Sequence, residues 1–518
     1  MTGTTGGDDG RLAKAMATLT PEQLAAVTSP AEALAIVAGA GSGKTRVVTL
    51  RVARRIADGT IDADHTLVAT FSRKAAFELR TRLMGLGVPV ADPTTSGRPP
   101  GPGVRAGTLH QLGLTLLRRR ALDTGQPPPR VAEQRYRMLT NLASDPSETT
   151  GLDLEIGWAK ARGLTPPMYA ARAAAAGRIP LLPVKVVADR FQAYEDALAR
   201  QQAIDLDDVL TRAGDLIVGD PTFAEAVRWR YRHLSVDEFQ DINPTQFRLV
   251  QLVMGDRRDL VAVGDPNQAI YGWNGADPGF LARLPGLVPG MEVVRLDRNH
   301  RSSPQVVKAA AAALGQTVDG IPQSSGSDGP MPVVTAYDDS AAEADGVARL
   351  VAERGGEGRC WSAHAVLART NDQLTAMGAA FARMGIPYRM APGPETLATA
   401  ELDTDAVELA TFHRAKGLEW PWVAVVGIED GYVPIVHASS DIALAEERRL
   451  LYVALTRAEH ELHCSWARLR FLAGGRQVER SPSRWLADIQ RHAVDGRAGT
   501  SAVEPAARFA HLRRALGG

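Results

Sequence analysis

Hydrophobic residues in this chain gather into short runs that alternate with longer stretches of helical period. Ala33 to Ala38, Thr66 to Thr70, Val104 to Leu109, His233 to Val236, Leu260 to Gly264 and Val293 to Leu296 read as buried strands. Helical patterns follow the first of these, over Arg46–Ile56, Phe71–Leu83 and from His110 onward. A second series runs through Val333–Ala336, Ala365–Ala368, Glu408–Thr411 and Val423–Val426. Helical stretches at Ser340–Ala352, Asp372–Met384 and Asp441–Ala458 lie between or after its strands. Strand–helix alternation of this kind predicts an α/β fold. Residues 121–204 break the pattern. They are Ala- and Arg-rich, helical in period over Val187–Ala199, and offer no good strand, which predicts a helical insertion inside the first α/β body. Thr20-Pro-Glu-Gln23 carries the signature of a helix start, with Thr20 as cap, Pro21 at the first position and Gln23 closing a capping box. Pro89 to Gly103 reads as a surface loop.

Composition narrows the class. A chain of 518 residues with 45% apolar content needs two or more cores. Its formal charge of +0 gives no overall attraction to nucleic acid, so such a partner must be gripped by a local groove. Cys360 and Cys464 cannot build a four-cysteine metal site or a disulfide framework. The polar, glycine-rich start carries no signal-peptide pattern, and no apolar run approaches a membrane span. The expected setting is cytoplasmic, with no membrane partner.

Candidate chemistry begins at the end of the first strand. Ala38-Gly39-Ala40-Gly41-Ser42-Gly43-Lys44-Thr45 is a glycine-rich turn opening a helix, the form of a phosphate cradle. Lys44 would reach the outer phosphates and the Thr45 hydroxyl would hold Mg²⁺. Ala38 departs from the general G-x-x-x-x-G-K-[ST] pattern. The Gln23 amide, beyond its capping role, offers one donor and one acceptor for an adenine edge. Val236-Asp237-Glu238 ends a strand in two acids. Asp237 suits the Mg²⁺ shell, and Glu238 suits orienting and deprotonating an attacking water. Gln268 could sense the γ-phosphate. Phe71, beside Arg73 and Lys74, is either a base-stacking platform or a core aromatic, and the same choice holds for Tyr271 and Trp273. No second cradle occurs, so the second α/β body should supply arginines to the transferring phosphate. Arg301 and Arg457 are the candidates, each otherwise an ordinary ion-pair arginine.

Taken together these loops resemble the UvrD/Rep/PcrA-like superfamily 1A DNA helicases, collinearly from about Leu19 to Trp466. The resemblance rests on Leu19-Thr-Pro-Glu-Gln23, the cradle with its Ala38, Thr70-Phe-Ser-Arg-Lys-Ala-Ala76, Gly107-Thr-Leu-His110 and Asp205-Leu-Asp-Asp208. It continues through Val236-Asp-Glu-Phe-Gln-Asp241, Gly264 to Ala276, Asn299-His-Arg-Ser302, Leu367-Ala-Arg-Thr-Asn371, Thr411 to Glu419 and Leu451 to Arg457. It implies two RecA-like P-loop NTPase motor domains that use ATP with Mg²⁺ and step 3′ to 5′ on single-stranded DNA. Its substrates would be single-stranded DNA and 3′-tailed duplex, and its partners repair or replication proteins. The implied layout is a disordered tail over 1–18, a first motor domain over 19–120 and 205–296, an insertion over 121–204, a second motor domain over 297–494 and a tail over 495–518. By motif position Arg301 and Arg457 become arginine fingers, Arg46 and His300 sandwich the adenine, and Glu419 contacts the ribose. Phe71, Arg73, Thr108, His110, Tyr271, Trp273, Arg369, Asn371 and His413 fall along the DNA path. His300 stands where the family usually has Tyr, Arg73 where Asn is common, and Asn274 where Arg is common. After Tyr388 the family inserts a large accessory domain before the motif near Thr411; here only about twenty residues intervene, Ala391-Pro-Gly-Pro394 and Glu401 to Asp405 among them. That loss raises two alternatives: a DNA-dependent ATPase that remodels nucleoprotein complexes but unwinds little, and a nucleotide-dependent repair scaffold.

Overall fold

In this computed structural model the chain is described over residues 5–91, 101–132, 134–316, 320–355, 360–390, 405–471 and 476–496. It divides into two compact units at Leu296/Asp297, with the short stretch Ala40–Ser42 grouped with the second.

In chain order the strands of the first unit are β1 (Ala33–Ala38), β2 (Thr66–Thr70), β3 (Arg105–Thr108), β4 (Arg130–Val131), β5 (Ala203–Ile204), β6 (His233–Val236), β7 (Leu260–Gly264) and β8 (Glu292–Leu296). Six of them form one sheet in the order β3-β2-β6-β7-β1-β8. Every pair in it is parallel. The period of two decides the layers. Ala33, Ala35, Leu67, Ala69, Leu260 and Ala262 face one core, shared with Leu112 and Leu210 of the helices Leu109–Thr124 and Leu206–Gly219. Leu34, Ile36, Val68, Val261 and Val263 face the other, shared with Val47, Val48 and Leu50 of the helix Lys44–Ala57. Buried on both faces, these strands show apolar runs rather than alternation, which is how the sequence displays them.

Two readings are corrected here. The tail expected to be disordered over 1–18 contains a helix, Thr5–Met16, and its Leu12, Ala15 and Met16 pack against the core of β1. A short apolar stripe inside a glycine-rich start is enough once a core face is available. The insertion, read as without strands, contributes β4 and β5, which pair in parallel. Two residues each are too few to leave a periodic trace. Otherwise the insertion is helical, with Leu139, Leu152, Ile156, Trp158, Tyr169, Phe191 and Tyr194 in a core of its own. The acidic stretch Asp205–Asp208 is a structural joint. Asp205 caps the helix Leu206–Gly219 in a capping box with Asp208, and the buried ammonium of Lys160 lies 2.8 Å from Asp205 and 2.9 Å from Asp208.

The second unit opens with β9 (Arg298–Asn299) and β10 (Gln323–Ser324), a small parallel pair. Its main strands are β11 (Val333–Asp339), β12 (His364–Ala368), β13 (Tyr388–Met390), β14 (Val407–Thr411), β15 (Trp420–Val425), β16 (Ala458–Phe471), β17 (Gln477–Glu479) and β18 (Val494–Gly496). They run β13-β14-β12-β15-β16-β11-β18, with β17 antiparallel on β16. The helices Ser340–Gly355 and Asn371–Arg383 cover one face through Val347, Val351, Leu374, Met377 and Phe381. Under the sheet the Arg470 guanidinium sits 2.6 Å from Glu343 and 2.5 Å from Glu429, both fully buried. Residues 391–404, where the accessory domain is expected to be missing, lie outside the described residues, as do 497–518 of the expected tail. Asp495 and Gly496 are strand, paired with β11.

Candidate functional site

Parallel strands bring their C-terminal ends to one edge of the sheet, where open α/β sheets bind ligands. In the first unit that edge collects the glycine-rich turn after β1, Phe71 after β2, Asp237 and Glu238 after β6, and Asp265 after β7. Gly43 caps the helix Lys44–Ala57 at φ 83°. A Cβ there would come 2.9 Å from the Gln23 Nε2. Gln23 is buried, and its Oε1 accepts from the Thr20 N–H at 3.2 Å. The capping bond therefore fixes the amide with its NH₂ toward Gly43, beside the glycine-rich turn.

Lys44 folds back over the turn, donating to the carbonyls of Gly39 at 3.2 Å and Ala38 at 3.4 Å, with Asp265 at 4.0 Å. The Thr45 hydroxyl donates to the Asp237 carboxylate at 3.2 Å. Glu238 occupies the left-handed region, φ 55° and ψ 42°. Its carboxylate accepts from the Gln240 Nε2 at 2.5 Å, while the Gln240 Oε1 accepts from the Asp265 N–H at 2.9 Å. Gln268 donates to Asp265 at 2.6 Å. Burial pushes the Asp237 carboxyl up to about 7, with Glu238 adding to the rise and Lys44 opposing it. Burial raises Asp265 as well, again against Lys44. Gln240 and Asp265 were not singled out in the sequence. Both lie inside singled-out stretches, and a buried amide joining two strand ends leaves no periodic signal.

Thr45 and Asp237 are hard oxygen donors, and the raised Asp237 marks a buried carboxylate short of positive charge. They fit Mg²⁺, which takes one or two protein oxygens and fills its shell with phosphate and water. Among the described residues no group of three or more His, Cys, Asp or Glu side chains could hold a metal by itself.

Beside this network stands an aromatic face. Phe71 and Tyr271 stack at 4.7 Å with 21° between ring planes, and Trp273 lies 6.5 Å from Tyr271. Trp273 is 43% exposed. Arg73 and Lys74 are exposed at the start of the helix Arg73–Gly85. Thr108 and His110 are less available. The Thr108 hydroxyl caps the helix Leu109–Thr124. Burial holds His110 down at about 4, and its Nε2 is buried without a hydrogen-bond partner. Arg46 donates to the Ala15 carbonyl at 3.2 Å and to the Thr18 hydroxyl, so the N-terminal helix engages a side chain expected at the adenine.

In the second unit Arg301, Glu419 and Arg457 meet at one turn. Arg301 pairs with Glu419 at 2.5 Å and reaches the Thr456 carbonyl at 3.4 Å. Arg457 is buried and donates to the carbonyls of Val453 at 2.9 Å and Leu418 at 3.1 Å and to the Thr456 hydroxyl at 3.2 Å. His300 bonds the Ser325 hydroxyl through Nδ1 at 2.6 Å. Arg369 grips Glu447 with two nitrogens, at 2.7 and 3.1 Å. Burial, with Arg369 and Lys416, lowers His413 to about 3. Asn371 is exposed at the first position of its helix.

Two family models and several known proteins match this sequence. The UvrD/REP helicase N-terminal domain model matches residues 19–287. The UvrD-like helicase C-terminal domain model matches 294–396 and 393–469, two segments that overlap at 393–396. The ATP-dependent DNA helicase UvrD2 of Mycobacterium tuberculosis is 33% identical, over 92% of this chain and 82% of that protein. DNA helicase II of Escherichia coli is 30% identical over 72% of this chain and 51% of its own length. The ATP-dependent DNA helicase Rep of Escherichia coli is 31% identical over 56% of this chain and 42% of its own length. The chain belongs to the UvrD/REP helicase family.

Proposed function

We propose that this chain is an ATP-dependent DNA helicase and translocase that moves 3′ to 5′ on single-stranded DNA in repair or replication. The observation that carries the reading is the unbroken network Thr45–Asp237, Glu238–Gln240–Asp265 and Lys44–Asp265–Gln268, which ends beside the Tyr271 and Trp273 loop. In this reading the backbone of Ala38 to Thr45 and the Lys44 ammonium take the phosphates. Thr45 and Asp237 hold Mg²⁺, which would neutralise phosphate charge. Glu238 aligns a water and takes its proton as the water oxygen attacks the γ-phosphorus. The bond from that phosphorus to the β–γ bridging oxygen then breaks, leaving ADP and phosphate. Arg301 and Arg457 serve the transferring phosphoryl group, Gln23, Arg46 and His300 the base, and Glu419 the ribose. Arg301 is paired with Glu419 and Arg46 with the N-terminal helix, so nucleotide would have to exchange those contacts for its own. Gln268 reports the γ-phosphate to the loop bearing Tyr271 and Trp273. Bases stack on that loop and on Phe71, with Arg73, Thr108, His110, Arg369, Asn371 and His413 along the strand.

ATP turnover and strand displacement on 3′-tailed, 5′-tailed and blunt duplexes test the reading together. Hydrolysis stimulated by single-stranded DNA, with displacement confined to the 3′ tail, is expected. Trp273→Ala should retain part of the hydrolysis and lose movement. Displacement from a 5′ tail alone would overturn the polarity.

One observation favours a second reading. The two C-terminal family segments leave no gap between them, and the alignment to the mycobacterial relative spans 582 positions while using 92% of this chain. The relative thus carries residues that have no counterpart here. A motor lacking an accessory insertion would hydrolyse ATP and clear proteins from single strands while displacing little duplex. Full DNA-stimulated turnover with no displacement on any tail would select it.

A further inference from the structure

A second concentration of chemistry lies at the opposite edge of the first sheet, where the parallel strands begin. His65 precedes β2, Arg232 precedes β6, and Arg257 and Arg258 precede β7. Arg228-Trp229-Arg230-Tyr231-Arg232 ends the helix Pro221–Arg230 and enters β6. Trp229 is 58% exposed although two neighbours touch it. The Arg232 guanidinium lies 4.2 Å from its ring centroid, and His65 meets it at 5.2 Å and 66°. A cleft of about 540 Å³ flanks it on one side, lined by Thr222, Glu225, Arg228, Trp229 and Arg257. Another of about 600 Å³ is lined by Thr60, Asp62, Arg232 and His233 among others.

The guanidinia here are engaged by carbonyls and by a ring rather than by carboxylates: Arg228 donates to the Leu252 carbonyl at 3.3 Å, Arg257 to the Arg228 carbonyl, and Arg232 lies over Trp229. Among the described residues none of Arg228, Arg230, Arg232, Arg257 or Arg258 forms an ion pair, and the Arg232 Nε is buried without a hydrogen-bond partner. Glu225, Asp256 and Asp62 are the acids nearby in the chain or the clefts, and Asp259 is held by Arg55 and His233 at 2.8 and 2.6 Å. Arg257 sits below its ordinary value, through burial and then through Arg232 and Arg228. Crowded guanidinia are relieved by an anion, and guanidinium forks match phosphate oxygens. The exposed indole and the guanidinium laid over it add planar surfaces. Bases use such surfaces by stacking; the carboxylates of an acidic peptide do not.

We propose that this ridge is a second binding site for single-stranded nucleic acid, separate from the Phe71–Tyr271–Trp273 face at the far ends of the same strands. The site does not depend on the direction or efficiency of any motor. The test uses the full chain and a short fluorescein-labelled oligothymidylate, with stoichiometry from anisotropy titration and contacts from 5-iodouracil photocrosslinking. Two oligonucleotides per chain are expected, one crosslinked to Trp229. Trp229→Ala with Arg257→Gln should weaken that second site by about tenfold or more, and Trp229→Phe should restore part of it. DNA-stimulated ATP turnover should stay unchanged in both variants, which separates failure here from failure of the motor reading. One oligonucleotide per chain, or unchanged binding in the double variant, would overturn the proposal. Capture of polyglutamate in place of oligothymidylate, dependent on the same residues, would overturn it in favour of an acidic protein partner.

Discussion

Glu238 holds a left-handed backbone conformation that costs a non-glycine residue about 1–3 kcal/mol. The position is bought back by the Gln240 amide, which aims the carboxylate, and by Asp237, which accepts the Glu238 N–H at 2.9 Å. A carboxylate aimed this way suits one task better than a mobile one would, the alignment of water. Glu238→Gln keeps the shape and removes the proposed base, so ATP turnover should fall by about a hundredfold or more while nucleotide binding persists. Lys44→Ala should lose both. Turnover per second and the dissociation constant of a fluorescent ATP analogue, measured on the same preparations, check the pair; wild-type turnover in either variant would show the active site misplaced. At this scale residue type alone brought Lys44, Thr45, Asp237 and Glu238 forward, and the structure gathers them at one edge of the sheet. The sequence was silent on Gln240, whose value lies in reaching from one strand end to the next.

The cradle is the element that ties local geometry to chemistry. Gly43 has φ 83°, and the space its missing side chain would fill belongs to the Gln23 amide. Gly43→Ala meets both obstacles, so it should cost about 1–2 kcal/mol of stability and weaken ATP binding severalfold. Thermal unfolding with and without nucleotide checks this, and an unchanged nucleotide-induced rise in Tm would contradict it. Elements buried on both faces, such as β1, β2 and β7, were plain in the sequence because continuous apolar runs have few other uses. The pair β4–β5 and the N-terminal helix Thr5–Met16 were hidden. The pair is too short to show a period, and the helix gains its stability from packing against the core of β1 rather than from its own composition.

Across the whole molecule, His110, His413 and His463 share one pH response, and burial lowers His364 in the same direction. His110 lies in the first unit and His413 and His463 in the second. Burial lowers them from an ordinary 6.5 to about 4, about 3 and about 3. Each is neutral when folded, so the unfolded chain takes protons that the native state refuses. Their contribution is complete above pH 6.5 and is lost as pH falls toward the folded values. Urea midpoints should therefore drop between pH 7 and 5, and His110→Gln should flatten the drop for the first unit; a midpoint constant over that range would argue against neutral burial. Net charge was a poor guide at this scale. A total of +0 hides a cluster of arginines around Trp229 that form no ion pair among the described residues. That ridge and the acid pair of the proposed site share β6, since Arg232 precedes it and Asp237 and Glu238 follow it. The strand is only about 13 Å long and is bonded to β2 and β7 along its sides. It can neither stretch nor slip between them. It is a ruler, holding the ridge and the acid pair at one fixed separation whatever either end carries.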